Sequence, residues 1–383
     1  MDSSRRHFLA AGLALPVAGI ASSLDSPAPE PEPQKPAGQL AYRTLGKTGL
    51  KVTTVGFGCM ITSDPTVITR AADMGINYFD TSRNYQNGQN ERMVGAALGA
   101  KRKNVFVSSK CDTKTGPGIL AELDTTLKEL NTDYLDVWLL HGFGSAEQIT
   151  DELVEAQRKA RQQGKVRFIG VSTHTLPAIV DRVIETKLEI VQPQYNFTSP
   201  KEYAESLDKL HKAGVGIVGM KVMARARGRR GAPGAAPPPP PPAERSAAAL
   251  KWVINNPAIA TTVPSMTDND QLDQNFKAMA QSFTEGDSKL LVAAVREVGP
   301  YFCRMCGKCD GQCPKGLPAR DLVRFAMYAD GYGQFALGRE HFLKLTAEQQ
   351  AVRCGDCATC AIKCPNGVQV AAQAMRAQEL FAV

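Results

Sequence analysis

Eight of the ten cysteines lie after residue 300, in two runs of identical spacing. The first reads Cys303-Arg-Met-Cys306-Gly-Lys-Cys309-Asp-Gly-Gln-Cys313-Pro314, and the second Cys354-Gly-Asp-Cys357-Ala-Thr-Cys360-Ala-Ile-Lys-Cys364-Pro365. Both are C-x2-C-x2-C-x3-C-P. Turns this tight let three thiolates grip three irons of one iron–sulfur cube, and a following proline frees the fourth to reach elsewhere. A scattered disulfide framework does not look like this. Zinc is the alternative metal, but its sites pair two C-x-x-C knuckles and rarely carry a triple run closed by proline. Cys59 and Cys111 fall outside the runs and read as buried thiols. A second constellation, Asp80, Tyr85, Lys110 and His141, is mixed in type. Tyrosine is a weak acid with a pKa near 10, and an ammonium beside it stabilises the phenolate and lowers that value. A carboxylate holds the lysine in place, and a histidine can hydrogen-bond a substrate oxygen. Together the four can deliver a proton to a carbonyl oxygen.

That chemistry requires a fold that brings the four together. From about Tyr42 the chain alternates β-branched runs with helical stretches. Predicted strands are Val52–Phe57, Asn77–Asp80, Val105–Lys110, Tyr134–His141, Arg167–Ser172, Leu188–Tyr195, Gly216–Val222 and Ala260–Val263. Predicted helices between and after them are Pro65–Met74, capped by Ser63 or Asp64, then Glu91–Leu98, Ile119–Leu130, Ala146–Gln162, Leu176–Thr186, Lys201–Ala213, Glu244–Asn255 and Asn269–Gln281. Strict alternation implies a parallel sheet. Eight units of this length predict an α/β fold, a (β/α)8 TIM barrel, over residues 41–285. An open doubly wound sheet is the alternative, but no G-x-G-x-x-G follows the first strand. Barrel chemistry sits at the C-terminal strand ends. Asp80, Lys110 and His141 end the second, third and fourth strands, and Tyr85 lies in the loop after the second.

Residues 286–383 form a small C-terminal α-helical domain, with helices predicted at Pro318–Asp330 and Gln334–Leu345 between the cysteine runs and a link at Ser288–Val298. Because it follows the eighth strand, this tail is expected to pack near the active face of the barrel. One barrel loop is unusual: Arg225-Ala-Arg-Gly-Arg-Arg230 leads into six prolines, Pro237–Pro242, after the seventh strand. It reads as a solvated insertion, or as a source of arginines for cofactor phosphates, which often bind near strands seven and eight.

The chain has 383 residues, 43% of them hydrophobic and 22% charged, a globular composition that excludes disorder throughout. A net charge of +7 over this length does not make a dedicated nucleic-acid binder. At the N-terminus, Ser4-Arg5-Arg6-His7-Phe8-Leu9 resembles the twin-arginine export motif. The apolar stretch behind it is about 15 residues, short of the ~20 that a membrane span needs. Residues 1–23 therefore read as a removable signal, and the proline-rich residues 24–40 as a spacer. Together they predict folded export by the twin-arginine machinery, to the periplasm, with no stable membrane span.

The tetrad places the middle of the chain beside a known family. Ile76-Asn-Tyr-Phe-Asp80-Thr-Ser-Arg-Asn-Tyr85, Val105-Phe-Val-Ser-Ser-Lys110 and Leu135-Asp-Val-Trp-Leu-Leu-His141 resemble the motifs of the aldo-keto reductases, over about residues 42–282. By that resemblance Tyr85 is the general acid, Lys110 and Asp80 tune it, and His141 orients the carbonyl. The implied reaction is hydride transfer between NADP or NAD and a small carbonyl or alcohol. The resemblance also implies cofactor contacts at Ser172 and Thr173, facing the nicotinamide amide, at Gln192, and at Asn275 on the adenine side. Gln271 and Ser265 stand where many members carry an arginine and a lysine, which leaves NADP and NAD both open. The short loop Gly142–Ser145 implies an open substrate pocket. The cysteine runs resemble two-cluster ferredoxins. That likeness implies one [4Fe-4S] cluster on Cys303, Cys306, Cys309 and Cys364, and a second on Cys354, Cys357, Cys360 and Cys313. Two function classes follow: an exported oxidoreductase whose hydride chemistry sits beside cluster electron transfer, with a redox partner protein, or an exported iron–sulfur electron carrier that keeps the barrel as a scaffold.

Overall fold

A computed structural model describes residues 40–224 and 243–382. The predicted signal, all of the spacer but its last residue, and the arginine–proline insertion lie outside the described residues.

The chain enters through an antiparallel hairpin, β1 (Tyr42–Thr44) and β2 (Lys51–Thr53). Eight strands follow: β3 (Phe57–Gly58), β4 (Tyr78–Asp80), β5 (Phe106–Cys111), β6 (Leu135–Leu140), β7 (Val166–Thr173), β8 (Ile190–Pro193), β9 (Gly216–Gly219) and β10 (Thr261–Thr262). They lie side by side in chain order, and every pair is parallel. Bridges from Val55 to Thr262 and from Gly58 to Ser265 join the first strand to the last and complete the ring. Each strand is followed by a helix: α1 (Pro65–Asp73), α2 (Gln89–Leu98), α3 (Gly116–Leu130), α4 (Asp151–Gln162), α5 (Val180–Glu185), α6 (Lys201–Lys212), α7 (Ala243–Ile254) and α8 (Asn269–Ala278). The predicted TIM barrel is thus the observed one.

Two differences from expectation have physical causes. The run Val52–Phe57 is not one strand: Val52 belongs to the hairpin, Val55 bridges to Thr262 of the barrel's last strand, and the barrel strand proper is Phe57–Gly58. Leu45, Leu50 and Val52 of the hairpin segment plug the barrel from below, packing on Tyr78, Val137, Leu139, Ile190 and Val218. A continuous β-branched run cannot distinguish a plug from a wall. The expected helix Ala146–Gln162 is a short turn at Ala146–Gln148 followed by α4, because the Thr150 hydroxyl caps a fresh start by accepting from Leu153 N at 3.4 Å. Of the two caps predicted for α1, Ser63 and Asp64, it is Asp64 that serves, accepting from Thr66 N at 2.8 Å.

The tail is helical, as expected. α9 (Glu285–Val298) starts with a reciprocal Thr284–Asp287 cap and packs Leu291 against Ala248 and Ala249 of α7. α10 (Ala319–Ala326) runs into one wide turn at Met327–Gly331, then come α11 (Phe335–Leu343), α12 (Ala347–Ala351) and α13 (Val370–Phe381). Leu322, Phe325, Phe342, Ala377 and Phe381 make the tail's own core. Gly338 lets α11 approach closely, since a Cβ there would lie 2.6 Å from the Phe381 ring and 2.7 Å from Phe325 O. The tail also rests on the barrel: Met60 packs on this core, and Phe197 and Ala224 pack on a second cluster with Phe302, Val323 and Met327.

Candidate active site and thiol cradles

Strand register decides which side chains meet. In parallel strands, residues paired in register share a face. Asp80 pairs with Ser108, Ser108 with Val137, Lys110 with Leu139, Leu139 with Gly170, and Ser172 with Gln192. Val137 and Leu139 pack in the small interior cluster. The whole set therefore faces the barrel interior, apolar at the bottom and polar at the C-terminal rim.

At that rim the tetrad comes together. Lys110 Nζ donates to Asp80 Oδ1 at 2.8 Å, Asp80 Oδ2 at 2.7 Å and Thr81 O at 2.7 Å, with Lys110 1% and Asp80 3% exposed. Ser108 Oγ donates to Asp80 Oδ1 at 3.1 Å. The ammonium sits 5.1 Å from the centre of the Tyr85 ring. Tyr85 meets His141 edge-on, with ring centres 5.9 Å apart. The tetrad opens onto a cleft of about 660 Å3, mouth included, lined by Gly58, Asp80, Tyr85, Lys221, Ser265 and, from the tail, Tyr332.

The electrostatics correct one expectation. Burial pushes the Tyr85 phenol well above the usual tyrosine range, and the negative charges of Asp80 and Asp112 push the same way. Lys110 does not reverse this, because its charge is already clasped by both oxygens of Asp80. Tyr85 therefore holds its proton firmly. His141 is drawn below the ordinary histidine value, chiefly by burial, which outweighs the opposite pull of Asp112. Asp112 was not singled out by sequence. Its Oδ1 lies 2.7 Å from His141 Nδ1, with Ser82 Oγ at 3.1 Å from the same nitrogen. The signal that finds it is alternation: it follows Lys110 by two residues and so continues the same strand face.

Ser172, Thr173 and Gln192, all fully buried, stand at the adjacent ends of β7 and β8. Asn275 is apart from them, buried on α8. Ser172 Oγ accepts from Gly142 N at 2.9 Å, and Thr173 Oγ1 accepts from Thr175 N at 3.0 Å. Both amide atoms of Gln192 are buried without a hydrogen-bond partner among the described residues. Orphaned buried polar atoms are costly, and a carboxamide such as that of nicotinamide offers the donor and acceptor they lack. The residues present fit a nicotinamide. Gln271 is occupied locally, donating to Thr267 Oγ1 at 2.8 Å and to Asp268.

The eight tail cysteines line two separate cavities. Cys303, Cys306, Cys309 and Cys364 line one, with Arg304, Asn366 and Val323. Cys313, Cys354, Cys357 and Cys360 line the other, with Pro314, Lys315 and Met375. The fourth cysteine of each run thus lines the cavity of the other run's first three. Among the described residues no three His, Cys, Asp or Glu side chains converge closely enough to hold a single ion. Each set brings four thiols to one cavity, the ligand number that a [4Fe-4S] cube takes. Cys59 and Cys111 are buried.

Comparison with known proteins agrees with this geometry. Residues 63–235 match the aldo/keto reductase family, and residues 302–368 match the 4Fe-4S dicluster domain. The chain carries an aldo-keto reductase domain followed by a 4Fe-4S dicluster domain. L-galactose dehydrogenase of Arabidopsis thaliana is 33% identical over 211 residues, covering 49% of this chain and 66% of the relative. L-glyceraldehyde 3-phosphate reductase of Escherichia coli (strain K12) is 28% identical over 218 residues, covering 49% of this chain and 62% of the relative. The chain thus spans less than two thirds of either relative's length. An aldo-keto reductase of Bacillus halodurans in its holo form superposes with a TM-score of 0.56 at 24% identity, over 66% of this chain and 96% of that one. That last likeness is one of fold.

Proposed function

We propose that the protein is an oxidoreductase that exchanges a hydride between a nicotinamide dinucleotide, NADP or NAD, and a small carbonyl or alcohol, with two [4Fe-4S] clusters alongside. The observation that carries this reading is the buried Asp80–Lys110 pair beneath Tyr85 and His141, next to the orphaned amide of Gln192. When bound, the nicotinamide supplies or accepts the hydride. Tyr85, with its raised pKa, keeps its proton until negative charge develops on the substrate oxygen, and then donates it. His141 is neutral with its Nδ1–H donated to Asp112, so Nε2 is an acceptor, able to take a hydrogen bond from the hydroxyl of an alcohol substrate but not to donate to a carbonyl oxygen. A firm donor favours the reductive direction, since alcohol oxidation would need Tyr85 deprotonated to take up the proton.

The cavity of Cys303, Cys306, Cys309 and Cys364 lies on the barrel side, since Cys303 and Cys364 share a packed cluster with Phe197 and Ala224. At the other cavity Cys357 and Cys360 are exposed. A partner protein exchanging electrons would meet the second cluster first.

Cluster-loaded protein should oxidise NADPH or NADH with a small aldehyde. Tyr85→Phe should cut kcat roughly 10²- to 10⁴-fold, the range for a lost general acid, while dinucleotide binding persists. Absence of binding of either dinucleotide would leave the electron-carrier reading. Folded export is proposed on the Ser4–Leu9 motif. Replacing Arg5 and Arg6 by lysine should retain folded protein inside the cell, and undiminished export would refute it. No helix among the described residues is long and apolar enough to cross a membrane.

A further inference from the structure

Most inward-lying cations of this chain have a carboxylate partner. Lys110 has Asp80, Lys251 has Asp287 at 2.7 Å, Arg102 has Asp136 at 2.9 Å, and Arg376 has Asp330 at 2.9 Å. Two cations, Lys221 in the cleft lining and Arg324 beside it, have no carboxylate at ion-pair distance among the described residues. Lys221 follows β9 with φ +57, a left-handed backbone that a lysine adopts only under constraint. The constraint is visible: Asn196 Nδ2 donates to Lys221 O at 3.0 Å. The Lys221 ammonium lines the cleft, 5.2 Å from the Tyr332 ring centre and 5.4 Å from that of Tyr328, and donates to Met60 Sδ at 3.9 Å. Arg324 comes from α10 of the tail. Its Nε donates to Tyr328 OH at 2.6 Å, and its guanidinium carbon lies 5.5 Å from the same ring centre. No carboxylate among the described residues lies within ion-pair distance of it; Asp321, one turn away and 3.8 Å from Arg320, acts on it through space, and with Tyr328 and Tyr332 favours its charge against burial.

Two cations thus flank one ring, one from the barrel and one from the tail. Their charges hold the Tyr328 phenol below its ordinary value in spite of burial. Even ionised, Tyr328 would neutralise only one of them. Arg324 is also near enough for its charge to act on Tyr85 and His141. An unpaired buried charge costs several kcal/mol, so a site built this way gains when an anion enters.

We propose that Lys221 and Arg324 form a recognition site for an anionic group, a carboxylate or a phosphate, carried by the carbonyl substrate, so that the tail sets the substrate class. The proposal rests on the hydride-transfer reading above. A guanidinium held by its Nε still presents its two terminal nitrogens, and their fork matches the paired oxygens of either group. The cations would anchor that end of the substrate while Tyr85 meets the carbonyl at the other.

The test compares succinic semialdehyde with butanal, which share a four-carbon chain and differ in the carboxylate. The wild-type protein should prefer the acid aldehyde in kcat/KM. Arg324→Gln and Lys221→Gln should each lower that preference roughly 10- to 100-fold, the range for a lost charge-assisted hydrogen bond. Arg324→Lys should restore part of it. Equal kcat/KM for the two aldehydes in the wild type would overturn the proposal. So would a rise in KM for the dinucleotide alone in Arg324→Gln, which would give the cations to the cofactor. Binding separates this proposal from the reading it rests on. Succinate and inorganic phosphate, titrated calorimetrically into cluster-loaded protein, report anion binding without turnover. Binding of at least one, weakened in both glutamine variants, supports the site even if no carbonyl is reduced. Binding of neither, or binding unchanged in both variants, overturns it.

Discussion

Lys110→Met removes one buried charge and three hydrogen bonds, at 2.8, 2.7 and 2.7 Å. It leaves the Asp80 side chain, 3% exposed, with Ser108 Oγ at 3.1 Å as its remaining partner among the described residues. Breaking a buried pair from one side costs about 3–5 kcal/mol, because the other charge stays buried alone. A barrel of this size loses roughly 2–4 °C of midpoint per kcal/mol, so the expected fall is about 6–20 °C. The double variant Asp80→Asn/Lys110→Met removes both charges and should recover most of that loss. Turnover should be absent from both, since the lysine beneath Tyr85 is gone in each. Both tryptophans, Trp138 and Trp252, lie in β6 and α7, so intrinsic fluorescence follows the barrel, and cluster absorbance follows the tail. A Lys110→Met protein as stable as the wild type would refute the reasoning, and so would a double variant no more stable than the single one.

Three other outcomes are expected. Gly338→Ala drives a methyl into the Phe381 ring and Phe325 O and should cost the tail about 1–3 kcal/mol, lowering iron content while the fluorescence midpoint of the barrel holds; unchanged cluster retention would contradict the packing. Loaded protein should carry about eight irons and eight sulfides per chain, and Cys364→Ala should cost the cluster otherwise bound by Cys303, Cys306 and Cys309, which spectroscopy of Cys364→Ala beside Cys313→Ala would distinguish. His341 packs on Phe325 and Tyr328, and burial, reinforced by Arg324 and Lys344, brings its pKa down to about 4. Below the unfolded value of about 6.5 the unfolded chain takes up a proton that the folded chain refuses, so tail stability falls as pH drops from 6.5 towards 4. Protection factors over residues 319–343, taken against intrinsic exchange at each pH, should therefore fall as pH drops from 7.5 to 5.5, and His341→Phe should flatten that trend.

The barrel was legible because strand and helix periods alternate without interruption, and because a short strand still shows its parity. The tetrad was legible because Asp80, Lys110 and His141 each end a run, so register alone aims them at one point. Other features were hidden for stated reasons. The plug at Leu45, Leu50 and Val52 has the same composition as a strand. The behaviour of Tyr85 depends on how much water reaches it and on Asp80 already holding the lysine, and both are properties of the packed site. Arg324, Tyr328 and Tyr332 are ordinary positions of an amphipathic tail helix and its extension in one dimension. Their neighbours Lys221 and Met60 lie more than a hundred residues earlier, and only docking of the tail on the rim brings them together.

The exchange of Cys313 and Cys364 between the two cavities has a consequence for how the protein is made. The set of Cys313, Cys354, Cys357 and Cys360 is complete only once residue 360 has left the ribosome, and the other set only at residue 364, so neither cube can be fully seated until nearly the whole tail is made. Loading is a late event, and it draws residues 303 and 364 into one knot of bonds. A chain truncated anywhere between the two runs would hold three thiols of one set and one of the other, and would be a target for proteolysis instead of a half-active product. The interlaced ligands thus act as a completeness check, passed only by a full-length and fully metallated tail.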